Sequence, residues 1–192
     1  MTLQDAIRYF TEETHIMPCL SVACGGAGRF ACAMGGQINE AGAPVTERSI
    51  FDLASLTKLF TGLTVMRLHE EGRIDLRQPV TAYAPQFENL TCVPVSQVLG
   101  FEIGLTTPER VDAQKTPEAG RAQLYAIRPG AVTGRAYSDM HAMVLKHVIE
   151  GAADESYLHE VARIILDPLG MGDTFYAVPE SRRADCVSCN GE

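Results

Sequence analysis

What the sequence lacks narrows its function first. No apolar run approaches the roughly 20 residues that span a bilayer. The N-terminus has no basic segment followed by an apolar one, so neither a membrane span nor a secretory leader is expected, and the cytoplasm is the default location. Basic charge is also scarce. Lys and Arg number 16 against 24 Asp and Glu, for a net charge of -8 and a pI near 5.1. Nucleic-acid binders usually carry a basic face, so no nucleic acid is expected as a partner. Repeats, low-complexity tracts and linker-like stretches are missing too.

Metal and redox signals are equally thin. There are six cysteines, and without a leader disulfides are not expected. Cys19, Cys24 and Cys32 fall on expected strands and read as small core residues. Cys186-Val187-Ser188-Cys189 is half of a zinc site or a redox pair, but no second pair or suitable histidines accompany it. His159-Glu160-Val161-Ala162-Arg163 begins like a zinc-protease helix, yet Arg163 stands where the second ligand belongs. Gly26-x-Gly28-x-x-Ala31 follows a strand, as a dinucleotide fingerprint does. That fingerprint must open a helix whose N-terminus holds the pyrophosphate. Here the next segment is short and ends in Gly35-Gly36, so a hairpin is expected instead. No metal and no cofactor are expected.

At 192 residues, with 46% hydrophobic and 21% charged residues, the chain is long enough for one domain with a real core. Leu3, Ala6, Ile7 and Phe10 place an amphipathic helix over residues 2–14, with Thr2 and Asp5 close to a capping box. Strands are expected over 20–24 and 30–34, joined by a hairpin turn. A long helix follows Phe51. Leu56, Leu59, Phe60, Leu63 and Met66 form its apolar stripe, and Gly72 supplies a stop. Residues 95–99 suit a short helix. The stretch 106–133, with three prolines, is the least legible. A further apolar helix carries Met140, Val144, Leu145, Val148 and Ile149 before Gly151. The last spans about 156–166 with Leu158, Val161 and Ile165 inward, closed by Pro168.

Two stretches carry chemistry. Ser55 and Lys58 lie one turn apart at the start of the long helix, so their side chains share a face. That face continues through Gly62 and Val65, which predicts a buried, dry pair. A serine hydroxyl needs a base to become a nucleophile, and burial lowers a lysine's pKa toward the neutral form that serves as one. The structural alternative is a capping serine beside a lysine whose ammonium reaches water. Tyr137-Ser138-Asp139 opens the later helix. A phenol beside the lysine carries protons to and from the serine if a cation lowers its pKa. Tyr137 also suits a core position with its hydroxyl satisfied, and Asp139 suits a helix cap.

Ser-x-x-Lys followed by Tyr-x-Asp resembles the penicillin-recognising serine hydrolases: class C β-lactamases, D-alanyl-D-alanine carboxypeptidases and related esterases. Gly72-Arg73-Ile74-Asp75-Leu76-Arg77-Gln78-Pro79-Val80 is similar to that family's loop after the nucleophile helix. Asp167-Pro168-Leu169-Gly170-Met171-Gly172-Asp173-Thr174 is similar to its Pro-Leu-Gly-Met segment. The resemblance implies an α+β fold of the β-lactamase/transpeptidase type, an antiparallel sheet flanked by helices. Residues 1–50 would supply a helix and two strands, and 51–192 the mostly helical region. It implies a Ser55 acyl-enzyme formed on an amide, ester or β-lactam of a small molecule or peptide. Lys58 and Tyr137 would move the protons, and the Ser55 N–H would be an oxyanion donor. Asp139 takes the place of an asparagine that hydrogen-bonds the lysine and the substrate. A carboxylate there favours a charged Lys58 and shifts proton transfer toward Tyr137.

Gly100-Phe101-Glu102-Ile103-Gly104-Leu105 departs from the family's Thr/Ser/His-rich turn. Its third motif, Lys or His, then Thr or Ser, then Gly on a later strand, has no match; Lys115-Thr116-Pro117 comes too early and lacks the glycine. The expectation is therefore a front part of a longer fold, weak or inactive alone, with a missing C-terminal segment or self-association. The rival expectation is a non-catalytic module that binds a ligand or partner. Ser55 is expected to be the most reactive hydroxyl. A fluorophosphonate or penicillin probe should label it by mass spectrometry, and labelling that persists unchanged in Ser55→Ala defeats that expectation.

Overall fold

The computed structural model describes residues 2–130 and 135–188. Cys189 of the paired cysteines, Thr133 and the end at Glu192 lie outside the described residues. The chain forms two compact units, residues 1–53 with 175–192, and residues 54–174.

In the first unit, α1 spans Leu3–Arg8 and continues as a wider turn over Tyr9–Glu13. The Thr2 hydroxyl accepts from the Asp5 N–H, and the Asp5 carboxylate accepts from the Thr2 N–H, so the capping box read from the sequence forms. Strands β1 (Cys19–Gly26) and β2 (Arg29–Gly36) make an antiparallel hairpin, with Gly26 opposite Arg29. The two turn residues, Ala27 and Gly28, take φ of 51° and 79°, the left-handed pair that matches strand twist. Helix α1 covers β2 through the buried Ile7. Cys24 and Cys32 are exposed rather than core, because much of each strand faces away from α1. The returning segment ties down the polar connection: Ser188 N–H donates to the Ile38 carbonyl at 2.7 Å and Val187 N–H to that of Ile50 at 2.9 Å.

The second unit is mostly helical. Its elements are α2 (Thr57–Glu70), α3 (Val95–Leu99), β3 (Gly104–Thr106), α4 (Pro117–Tyr125), β4 (Arg128–Gly130), α5 (Asp139–Ala153) and α6 (Tyr157–Val161), the last continuing as a wider turn to Leu166. One core joins Val65 and Leu68 of α2 to Val95 and Val98 of α3, Leu124 of α4, and Val144, Leu145, Val148 and Ile149 of α5, around Phe87. β3 and β4 pair antiparallel. Neither was legible as a strand: each is three residues long, and one contains a proline.

Three sequence expectations are corrected here. The buried face of α2 is Thr61, Thr64, Val65 and Leu68, whereas Leu56, Leu59, Leu63 and Met66 are 41–62% exposed. The threonines pack inward because their hydroxyls are satisfied within the unit: Thr64 donates to the Phe60 carbonyl, and Thr61 pairs with the Tyr157 hydroxyl at 2.9 Å. Leu158 is exposed, while Val161 and Ile165 are buried. Helix α5 does not stop at Gly151. It runs to Ala153, and Asp154 turns left-handed at φ 54°. Gly151 serves close packing instead, since a Cβ there would sit 1.8 Å from the Tyr83 carbonyl oxygen. Gly151→Ala is therefore expected to destabilise the chain by about 1–3 kcal/mol despite alanine's better helix propensity. Urea unfolding checks this, and an unchanged midpoint would mean that the Tyr83 segment yields freely.

Candidate active site

Ser55 lies in a single tight turn, Ala54–Leu56, that leads into α2. The residue before it, Ala54, takes φ 44°, a left-handed conformation that costs a non-glycine residue of order 1–3 kcal/mol. The chain thus bends sharply at the point where it presents the serine. One turn along, Lys58 returns its ammonium to Ser55, with Nζ donating to Oγ at 2.9 Å.

Helix α5 supplies the other half. It packs against α2, and its first turn brings Asp139 to the same ammonium, with Oδ1 2.5 Å from Lys58 Nζ. Ser138, not Asp139, takes the N-cap position. The Asp139 carboxylate, close to the positive end of α5, is committed to the lysine rather than to the helix behind it. Tyr137 stands just before the cap, 63% exposed, so it is no core residue. Its ring centroid lies 4.9 Å from Lys58 Nζ, within cation–π range. All four residues singled out from the sequence therefore meet at one point.

Their electrostatics correct one expectation. The pair is not dry: Ser55 is exposed, although the Lys58 side chain is only 12% exposed. Lys58 is not pushed toward neutrality. The Asp139 carboxylate, hydrogen-bonded to it, holds its pKa above the ordinary lysine value, and this outweighs the lowering by burial; Tyr137 adds in the same direction. The Tyr137 phenol moves the other way. The Ser55 hydroxyl first and the Lys58 ammonium second draw its pKa below 10.0, the ordinary phenol value.

Supporting contacts fix both helices. Arg163 bridges the Glu71 carboxylate at the end of α2, 3.0 Å away, and the buried Glu160 of α6, 2.8 Å away. The segment that departs from the family pattern stacks the Phe101 ring on Tyr137, centroids 5.1 Å apart. Sequence reading missed Phe101, because an aromatic in a loop gives no sign of what it will stack on. Among the described residues, no three His, Cys, Asp or Glu side chains converge as a metal centre requires, and no helix is long and apolar enough to cross a membrane.

The chain is similar to known proteins. The family model described as Beta-lactamase matches residues 4–191. A teichoic acid D-alanine hydrolase of Staphylococcus aureus is 30% identical over 139 residues, 71% of this chain and 35% of that protein. The crystal structure of a class C β-lactamase superposes with a TM-score of 0.81 at 23% identity, over 95% of this chain and 52% of that one. FmtA from Staphylococcus aureus gives 0.78 at 24% identity, over 95% and 53%. The chain thus has the β-lactamase/transpeptidase-like fold, and it spans about a third of the curated relatives it matches and half of the solved ones.

The charge state of Lys58 is directly measurable. Asp139→Asn removes the carboxylate that raises its pKa, so the Lys58 ¹³Cε titration is expected to move to lower pH. The sign for stability follows. A lysine pKa raised by folding adds stability that is complete below the unfolded value of about 10.4 and is lost as pH climbs through the folded value. The wild-type advantage over Asp139→Asn should then hold at neutral pH and shrink above that range. An unmoved titration would mean that Asp139 does not set the lysine's charge.

Proposed function

The chain belongs to the β-lactamase family, and on that premise we propose that it carries the nucleophile and proton-transfer groups of a serine hydrolase acting by acyl transfer. The observation that supports this best is the convergence of Ser55, Asp139 and Tyr137 on the one Lys58 ammonium. In the proposed reaction Ser55 Oγ attacks the carbonyl carbon of an amide, ester or β-lactam. The C–O bond forms as the hydroxyl proton passes to the Tyr137 phenolate, which the lowered pKa makes more abundant. The carbonyl electron pair collects on oxygen, facing the Ser55 N–H. Collapse breaks the bond to the leaving group, which takes the proton from Tyr137 and leaves the acyl group on Ser55. Water then repeats the sequence and frees the acid. Lys58 stays charged throughout and stabilises the phenolate. It is not the base.

A second reading, a module that binds a partner, is favoured by the exposed Leu56, Leu59, Leu63 and Met66 face of the nucleophile helix. An apolar stripe of that kind suits another polypeptide.

Kinetics separate the two readings. Acylation of Ser55 should rise with pH along a limb centred below the ordinary phenol value, and Tyr137→Phe should remove that limb. Lys58→Ala should slow acylation by roughly 10²–10⁴ while costing no more than about 1–3 kcal/mol of stability. Nitrocefin, a p-nitrophenyl ester and a D-alanyl ester serve as substrates, and light scattering reports association. Acylation that survives Lys58→Ala and Tyr137→Phe undiminished would defeat the hydrolase reading.

A further inference from the structure

Behind the four site residues lies a fifth polar side chain that the reaction does not use. His141, one turn into α5, is fully buried. Its ring makes three kinds of contact. Nε2 lies 2.8 Å from the Ile103 carbonyl, which can only accept, so Nε2 carries a hydrogen. Nδ1 lies 3.1 Å from the Ser138 hydroxyl and 3.3 Å from the Ser138 carbonyl. The ring centroid sits 4.8 Å from that of Phe101.

These contacts run to both sides of Tyr137. Ser138 is its next neighbour in sequence, between Tyr137 and Asp139. Phe101 is its stacking partner at 5.1 Å, and the Ala136 N–H donates to the Phe101 carbonyl at 2.8 Å. Phe101 itself takes φ 55°, a left-handed conformation that an aromatic residue holds only when its surroundings fix it. The imidazole meets three needs at once. It caps the Ile103 carbonyl, hydrogen-bonds Ser138, and forms the floor on which the Phe101 ring rests. An aliphatic side chain of similar size would meet the last need alone and leave the other two groups without that partner.

We infer that His141 is a positioning residue for Tyr137: it locks the 101–103 and 137–139 segments together and so fixes the phenol against Ser55 and Lys58. The inference rests on the proposed acyl-transfer role of Tyr137, but its geometry is independent of turnover. Without the lock, the phenol should drift from the two groups that stabilise its phenolate, Ser55 and Lys58, while Asp139, the opposing charge, remains near.

The test reads the phenol itself. The chain has six tyrosines. With ¹³Cζ-tyrosine labelling, the signal lost in Tyr137→Phe identifies Tyr137, and its titration is followed in wild type, His141→Leu and His141→Gln. The expected result is a midpoint that rises toward the ordinary phenol value in His141→Leu. His141→Gln keeps a donor for Ile103 but loses the ring under Phe101, so its midpoint should rise as well. Fluorophosphonate labelling of Ser55 should fall by roughly tenfold or more in both, a share of the ~10²–10⁴ that a positioned proton acceptor supplies. Circular dichroism establishes that each variant is folded. If His141→Leu does not fold, the Gln variant decides. An unchanged Tyr137 midpoint in either folded variant overturns the inference. If wild-type Ser55 is never labelled, the acyl-transfer reading fails instead, and the Tyr137 titration still decides the role of His141.

Discussion

One ammonium organises the site: Lys58 Nζ donates to the Ser55 hydroxyl at 2.9 Å, lies 2.5 Å from the Asp139 carboxylate and sits 4.9 Å from the Tyr137 ring centroid. The carboxylate holds the lysine's pKa up, and a charged lysine cannot take a proton. Ser55 first and Lys58 second hold the Tyr137 pKa down, which favours its phenolate. Moving any one of these three partners would change the role of the other two.

The fold of the second unit places those partners on separate elements. Ser55 and Lys58 come from the start of α2, where a left-handed Ala54 bends the chain. Tyr137 and Asp139 come from the start of α5. The two helices pack together and share one core that holds Val65, Leu68, Val144, Leu145 and Val148, so apolar packing sets the distance across which the lysine reaches. Gly151 lets α5 lie against the Tyr83 carbonyl, and Arg163 pins the far end of α2 between two glutamates. None of these residues touches the site, yet each restricts where its two halves meet.

Exposure at the site has a physical consequence. An ion pair between Lys58 and an Asp139 side chain that is 76% exposed is screened by water. Its value lies in fixing a charge state and a direction of donation rather than in stability. The apolar face beside it is the converse: Leu59 and Leu63 contribute nothing to this unit's core, and their burial would be worth more in contact with another surface.

The sequence by itself determined the longer helices, the first hairpin and the participants. One-turn spacing put Ser55 and Lys58 on one face, Tyr137-Ser138-Asp139 marked the opening of a second helix, and the capping box at Thr2 and the hairpin at Ala27-Gly28 were legible because their causes are local. Only the tertiary structure decided what depended on residues distant in the chain. The inward face of α2 proved to be its threonines, because satisfied hydroxyls pack as well as methyl groups and the spacing suits both. Lys58 is charged because a carboxylate 81 positions later settles on it. Phe101 and His141 became supports of Tyr137 through stacking and hydrogen bonds that no pattern of spacing records. Periodicity reports which side chains share a face; only the packed chain reports what that face meets.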